Sequence, residues 1–153
     1  SACAQSGERY YLGRARVQLA RIRTQRGDHA GAEAALRQAM EHPQSRPLRA
    51  YASALLPRVL LAQGRAEEAL AAAKDARRIF AALDAVHEGD ACIQLAWAEA
   101  LAATGAHEAS REALDAARER VLLRAAKIDD AALRRSFLED VPDHARTLAR
   151  ARR

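Results

Sequence analysis

Histidine, cysteine and carboxylate side chains are where metal binding or acid–base chemistry would begin, and in this chain they are scattered. The five histidines, His29, His42, His87, His107 and His144, show no paired metal-ligand spacing. His29 and His107 each lie two residues past a glycine, a placement explained by the repeat described below. Cys3 and Cys92 are far apart, without a CxxC or Cys/His cluster, and read as unpaired thiols of a reducing compartment. Glu67 and Glu68 are adjacent carboxylates, but neighbours on a helix point in different directions; in a first turn they complement the positive end of the helix dipole. The chain has no phosphate-cradling glycine loop, no GxSxG elbow and no HExxH pair. Arg26-Gly27-Asp28 spells an adhesion tripeptide, yet it falls at a helix end, a turn and a helix cap. Arg134-Arg135-Ser136 has the form of a basic-directed phosphorylation site, but it reads as ordinary helix surface. These residues imply no catalytic centre, no metal site and no cofactor.

Arginine is the remaining candidate for chemistry, because its planar fork recognises carboxylates. The net charge is +5, which permits an acidic protein partner or nucleic acid. The basic residues are interleaved with Glu and Asp along the chain, and the only dense basic run is 146–153. Tyr10, Tyr11, Tyr51, Phe80, Trp97 and Phe137 are not interleaved with them as base-stacking platforms would be. Nucleic acid is therefore the less favoured partner, and a protein or acidic peptide the favoured one.

The elements that must position these arginines are punctuated by Gly27, Gly64 and Gly105, separated by 37 and 41 residues. Each glycine is followed after five residues by a small residue, Ala32, Ala69 or Ser110. Seven residues further on comes an alanine, Ala39, Ala76 or Ala117. A tight turn between antiparallel helices favours glycine, which takes a left-handed backbone without a Cβ clash. Small residues two helical turns apart mark one face, where another helix crosses closely. The spacing predicts one helix–turn–helix unit stacked three times.

The turn regions read Arg26-Gly27-Asp28-His29-Ala30-Gly31-Ala32, Gln63-Gly64-Arg65-Ala66-Glu67-Glu68-Ala69-Leu70 and Thr104-Gly105-Ala106-His107-Glu108-Ala109-Ser110. Over roughly residues 8 to 126 this resembles the tetratricopeptide repeat (TPR) family. The resemblance implies an all-α, right-handed α-solenoid of three TPR-like repeats that binds protein partners and does not catalyse. The family's asparagine-based carboxylate clamp is not implied, since the chain contains no asparagine. The stretch from Lys127 to Pro142 is similar to the closing segment of the C-terminal TPR regions of large bacterial signalling proteins with a Ser/Thr kinase or ATPase module.

Composition supports an array of thin contacts: half the residues are apolar, but only 4% are aromatic, so little area is buried per residue. Helices are expected over Glu8–Arg26, with Leu12, Ala15, Leu19 and Ile22 at helical spacing, and over Asp28–Glu41, capped by Asp28. After a break at His42–Pro47, Ser45 caps a third helix that Pro57 kinks without ending. Further helices follow over Arg65–Ala82, Val86–Ala103 and Ala106–Ala126. The expected units are 8–42, 46–84 and 86–126, within an array of 1–128. Residues 129–153 form a cap: a helix over Ala131–Asp140 with Leu133, Phe137 and Leu138 on its apolar face, then a short one from Pro142 through Leu148.

In such arrays the first helix of each unit lines the concave groove. Equal steps back from each turn glycine select Arg14, Val17, Arg21 and Thr24, then Tyr51, Ala54, Arg58 and Leu61, then Cys92, Leu95, Glu99 and Ala102. From these, Arg14, Val17, Arg21, Tyr51, Arg58, Leu61, Leu95 and Glu99 are the candidate peptide-binding set. Arg21 and Arg58 face one trough and suit a short acidic or C-terminal peptide. The expected role is a protein–protein interaction scaffold, the regulatory region of a larger bacterial signalling protein; a helical domain of a transcription regulator is the alternative. No apolar run nears the roughly 20 residues that span a bilayer, and no leader pattern opens the chain, so a cytoplasmic setting is expected. The opening without methionine is compatible with a segment cut from something larger.

Overall fold

The structure, a computed structural model, describes residues 2–41, 45–83 and 89–151, with side chains from Gly7 onward except that of Arg9. Eight helices are present among the described residues, and no strand: α1 (Ala2–Gln25), α2 (His29–Met40), α3 (Arg46–Ala62), α4 (Ala66–Ala81), α5 (Asp90–Ala103), α6 (His107–Ala125), α7 (Ala131–Glu139) and α8 (Pro142–Arg150). The expected break at His42–Gln44, the His87 and Val86 positions and the Cys3 side chain lie outside the described residues.

The three glycines are the turns of three helical hairpins, with φ of +79° at Gly27, +74° at Gly64 and +87° at Gly105. Each turn closes the same way. The glycine N–H bonds the carbonyl three residues back, and the next residue's N–H bonds the carbonyl five residues back, as in Asp28 to Arg23 (2.9 Å), Arg65 to Leu60 (3.0 Å) and Ala106 to Leu101 (2.9 Å). That double closure satisfies the last carbonyls of α1, α3 and α5. Asp28 caps α2 by accepting from Gly31 N–H at 2.9 Å, and Ser45 caps α3 by accepting from Leu48 N–H at 3.3 Å. Helix α3 continues through Pro57 to Ala62.

Ala32, Ala69, Ala39 and Ala76 are wholly buried, and Ser110 and Ala117 nearly so. Ser110 also donates its hydroxyl to the Ala98 carbonyl at 2.8 Å, tying α6 to α5. Helix α2 packs on α3 and α4 on α5, and the first helices α1, α3 and α5 touch in sequence. The second helices α2, α4 and α6 do not touch one another. First helices that approach while second helices diverge place α1, α3 and α5 on the inner side of the array. One core cluster joins Val17, Leu36, Leu56, Val59 and Leu60; a second joins Ala54, Ala73, Ala76, Ile93 and Ala96 under Trp97. The Arg77 guanidinium lies 4.8 Å over the Trp97 ring, a cation–π contact closing the α4–α5 seam.

Three expectations are corrected. The stripe Leu12–Ala15–Leu19–Ile22 does not face the core of α1; Leu12 is 49%, Leu19 42% and Ile22 47% exposed, while Gly13, Val17 and Ala20 are buried. Gly13 permits this, because a Cβ there would stand 2.5 Å from a Leu48 methyl. Helix α5 begins at Asp90, not Val86, because Gly89 adopts a left-handed backbone (φ +97°) as its N-cap. A side chain at Gly89 would also crowd Tyr51, Ala54 and Phe80. Finally, α7 buries nothing fully: Leu133 is 65% exposed, and Phe137 and Leu138 are half-buried. The buried residues of the tail are His144 and Thr147 of α8. His144 Nδ1 lies 2.7 Å from the Phe137 carbonyl, and its ring packs 4.2 Å from the Phe137 ring. Helix α8 lies against α5 and α6, and α7 against α6 and α8.

Candidate functional site

The inner side of the array holds a groove of about 680 Å³. Arg21 and Thr24 of α1, Tyr51 and Arg58 of α3, Cys92 of α5 and the first turn of α8 all line it. Arg21, Arg58 and Glu99 each stand six residues before a turn glycine, so the hairpin geometry delivers them to one register on successive helices. Arg124 and Arg146 add two further guanidinium groups to the wall, and Asp90 and Asp143 two carboxylates.

Arg58 is the hub. Its Nη1 meets Asp143 Oδ1 at 2.6 Å, and its Nε lies 3.8 Å from Glu99 Oε2. Nε and Nη2 are nevertheless buried without a hydrogen-bond acceptor among the described residues. Glu99 in turn accepts from Arg146 at 2.9 Å and forms an ion pair with Arg150 at 3.2 Å, with only 9% of its side chain exposed. The α8 helix thus enters the inner side carrying Asp143, Arg146 and Arg150 at spacings that share one helical face, and each meets its opposite charge. Arg21, at the same register one hairpin earlier, is exposed and makes no such contact among the described residues.

The other anticipated residues divide. Tyr51 is half-buried and borders both this groove and a smaller pocket of about 130 Å³ that Arg14 also lines. Arg14 is exposed and donates to the Tyr10 hydroxyl at 3.3 Å. Val17, at 1% exposure, lies at the base of the smaller pocket beside Arg14 and does not line the groove, and Leu95, at 0%, belongs to the interior. Leu61 is half-buried against the first core cluster and does not line the groove. Glu99 is already engaged by the arginines of α8. Asp143, Arg146 and Arg124 were not anticipated; the Asp143, Arg146, Arg150 spacing is the sequence signal that marks the first two.

Two further groups bear on chemistry. Burial pushes the Cys92 thiol up to about 12, so it is protonated at neutral pH and donates weakly to the Ala54 carbonyl at 3.4 Å. Among the described residues no group of three or more His, Cys, Asp or Glu side chains is placed to hold a metal ion, and no helix is long and apolar enough to cross a membrane.

Glycine-closed hairpins, small-residue seams and an inner groove define the class as a helical-hairpin repeat protein. The chain belongs to the tetratricopeptide repeat-like domain family, whose pattern it matches over residues 3–133. Domains of this kind generally mediate protein–protein interaction and are typically non-catalytic. No curated protein and no solved structure matches the chain.

Proposed function

We propose that this chain is a non-catalytic scaffold whose inner groove takes a short acidic peptide or a peptide C-terminus. The observation that carries this reading is the Asp143 carboxylate seated on Arg58 at 2.6 Å. A carboxylate is the group that this register accepts, and Arg21 offers the same fork one hairpin away, open to solvent. Tyr51, which lines the same groove, supplies an amphipathic wall. In this reading units 8–42, 46–84 and 86–126 are three right-handed repeats, and 129–153 closes the array. The tail's likeness to C-terminal TPR regions supports a place in the cytoplasmic, regulatory part of a larger bacterial signalling protein, such as a Ser/Thr kinase.

The test is fluorescence anisotropy with a labelled tetraglutamate peptide bearing a free C-terminus, beside its glutamine counterpart. The acidic peptide binds, the glutamine peptide binds at least about tenfold more weakly, and Arg21→Glu abolishes the difference. Arg111→Glu, on the exposed side of α6, leaves binding unchanged. Equal binding of both peptides refutes the reading. Binding of duplex DNA with a steep salt dependence, in place of peptide binding, moves the chain to the transcription-regulator class.

A further inference from the structure

The stripe that α1 leaves in solvent is the stripe that α3 and α5 bury. Moving Ala15, Leu19 and Ile22 forward by the glycine spacings gives Ala52, Leu56 and Val59 in α3, then Ile93, Trp97 and Ala100 in α5. Ala52, Leu56 and Val59 are at most 3% exposed and share a core cluster with Ala35, Leu36 and Ala39 of α2. Ile93 shares the second cluster with Ala73 and Ala76 of α4, and Trp97 packs on it. In each case the face receives the alanine-rich second helix of the hairpin before it. Helix α1 carries the same face, with Leu19 at 42% and Ile22 at 47% exposure, and no described helix covers it.

We propose that this face of α1 is a docking surface for the alanine-rich second helix of a further helical hairpin supplied from outside residues 1–153. The charge around it states what the rim of that helix carries. From Leu12 to Gln25, α1 holds Arg14, Arg16, Arg21 and Arg23 and no acidic residue, Arg23 being turned within its own hairpin to the Gly31 carbonyl and Asp28. Arg26 occupies the register of Gln63, the donor that meets Glu33 of α2 at 3.0 Å across the first seam. A hairpin seated on α1 therefore brings carboxylates at the position of Glu33, on a helix with small residues seven apart. A second copy presenting its own α1 would set arginines against arginines, and like charges in contact disfavour that pairing.

The experiment extends the full chain. A copy of residues 8–46 is joined ahead of Tyr10, so that its α2 reaches α1 through the natural linker. The extended chain unfolds in one transition with a midpoint about 5 °C or more above the parent's, and methyl NMR finds Leu19 and Ile22 of the original α1 against Ala35 and Ala39 of the copy. Leu19→Asp with Ile22→Asp abolishes the rise, while the same pair leaves the unextended chain's midpoint unchanged because both sites are exposed. Glu33→Lys in the copy reduces the rise. A second extension, with residues 46–87 ahead of Tyr10, brings the alanine-rich α4 to the same face and guards against misfolding of the first copy. The proposal is overturned if neither extension raises the midpoint. It is equally overturned if the unextended chain sediments as an oligomer that Leu19→Asp dissolves, since the face then serves a second copy.

Discussion

Replacing Glu33 by glutamine tests how the first two hairpins are fastened. One carboxylate gathers Arg37 at 2.7 Å, Arg65 at 2.6 Å and Gln63 at 3.0 Å, so α2 is joined to the turn between α3 and α4. Burial alone would raise the Glu33 carboxyl, but the hydrogen bonds from Gln63, Arg37 and Arg65 outweigh it and bring it down from 4.5 to about 2. Each unit of depression corresponds to about 1.4 kcal/mol, which sets a ceiling of about 3 kcal/mol on the ionised form's contribution. The Glu33 side chain is 13% exposed, but Arg37 is 50% and Arg65 33% exposed, so solvent screening reduces the expected value to about 2 kcal/mol. The sign follows from a folded value below the unfolded one. Stability is fully present above the unfolded carboxyl's ordinary range and drains away as pH falls toward about 2. Urea unfolding of wild type and Glu33→Gln, followed by circular dichroism, checks this across the acid range. The two should differ by about 2 kcal/mol near neutrality, and the gap should begin to narrow below pH about 4.5 and close only toward pH about 2. A gap that stays constant down to pH about 3 refutes the argument, because the contribution then does not come from ionisation. A gap under about 0.5 kcal/mol at every pH reduces the cluster to an ordinary surface pair.

Other consequences are as direct. Ala39→Leu and Ala76→Leu force extra methylenes into seams with no free surface and should each lower stability by about 1–3 kcal/mol in denaturant melts. Gly64→Ala meets no neighbour within 4 Å, so the strain of a left-handed backbone at φ +74° alone should cost about 1 kcal/mol in the same melts. Ending the chain at Asp140 removes Asp143 from Arg58 and uncovers Glu99; an acidic peptide should then bind more tightly at Arg58, measured by anisotropy, even as the melting temperature falls. Cys92, with its thiol held near 12 by burial, should resist alkylation by iodoacetamide at neutral pH and react only on unfolding.

The hairpins were legible because a positive φ and a zero-clearance seam each admit a narrow choice of residue. Gly27, Gly64 and Gly105, with Ala32, Ala69 and Ser110 behind them, therefore announce themselves from spacing alone. Helical periodicity also grouped Leu12, Ala15, Leu19 and Ile22 on one face of α1, but periodicity cannot say whether a partner helix lies opposite. The faces of α3 and α5 are covered and that of α1 is not. Gly89 was misread because a glycine inside a helical pattern and a glycine that starts a helix look alike without φ. Arg21 and Arg58, which line the groove, and Glu99 beside Arg58 share a register that the glycine spacing gives. The charge partners of Arg58 and Glu99, Asp143, Arg146 and Arg150, did not follow, because nothing local ties a residue of α3 or α5 to one of α8. Leu95 was placed in the trough by counting alone, and the count ignores the rotation that turns it toward the interior.

The bond between Arg58 and Asp143 sets an order of events during synthesis. Contacts within and between successive hairpins join chain segments that emerge close together in time, and such segments can pack as soon as they leave the ribosome. Arg58 and Asp143 are 85 residues apart, which at ~5–20 residues per second is a delay of roughly 4–17 s. Glu99 of α5 emerges earlier but reaches only to 3.8 Å from the Arg58 Nε. Until α8 delivers Asp143 to Nη1 at 2.6 Å, the inner guanidinium lacks its close partner, and any carboxylate nearby in the cell competes for that place.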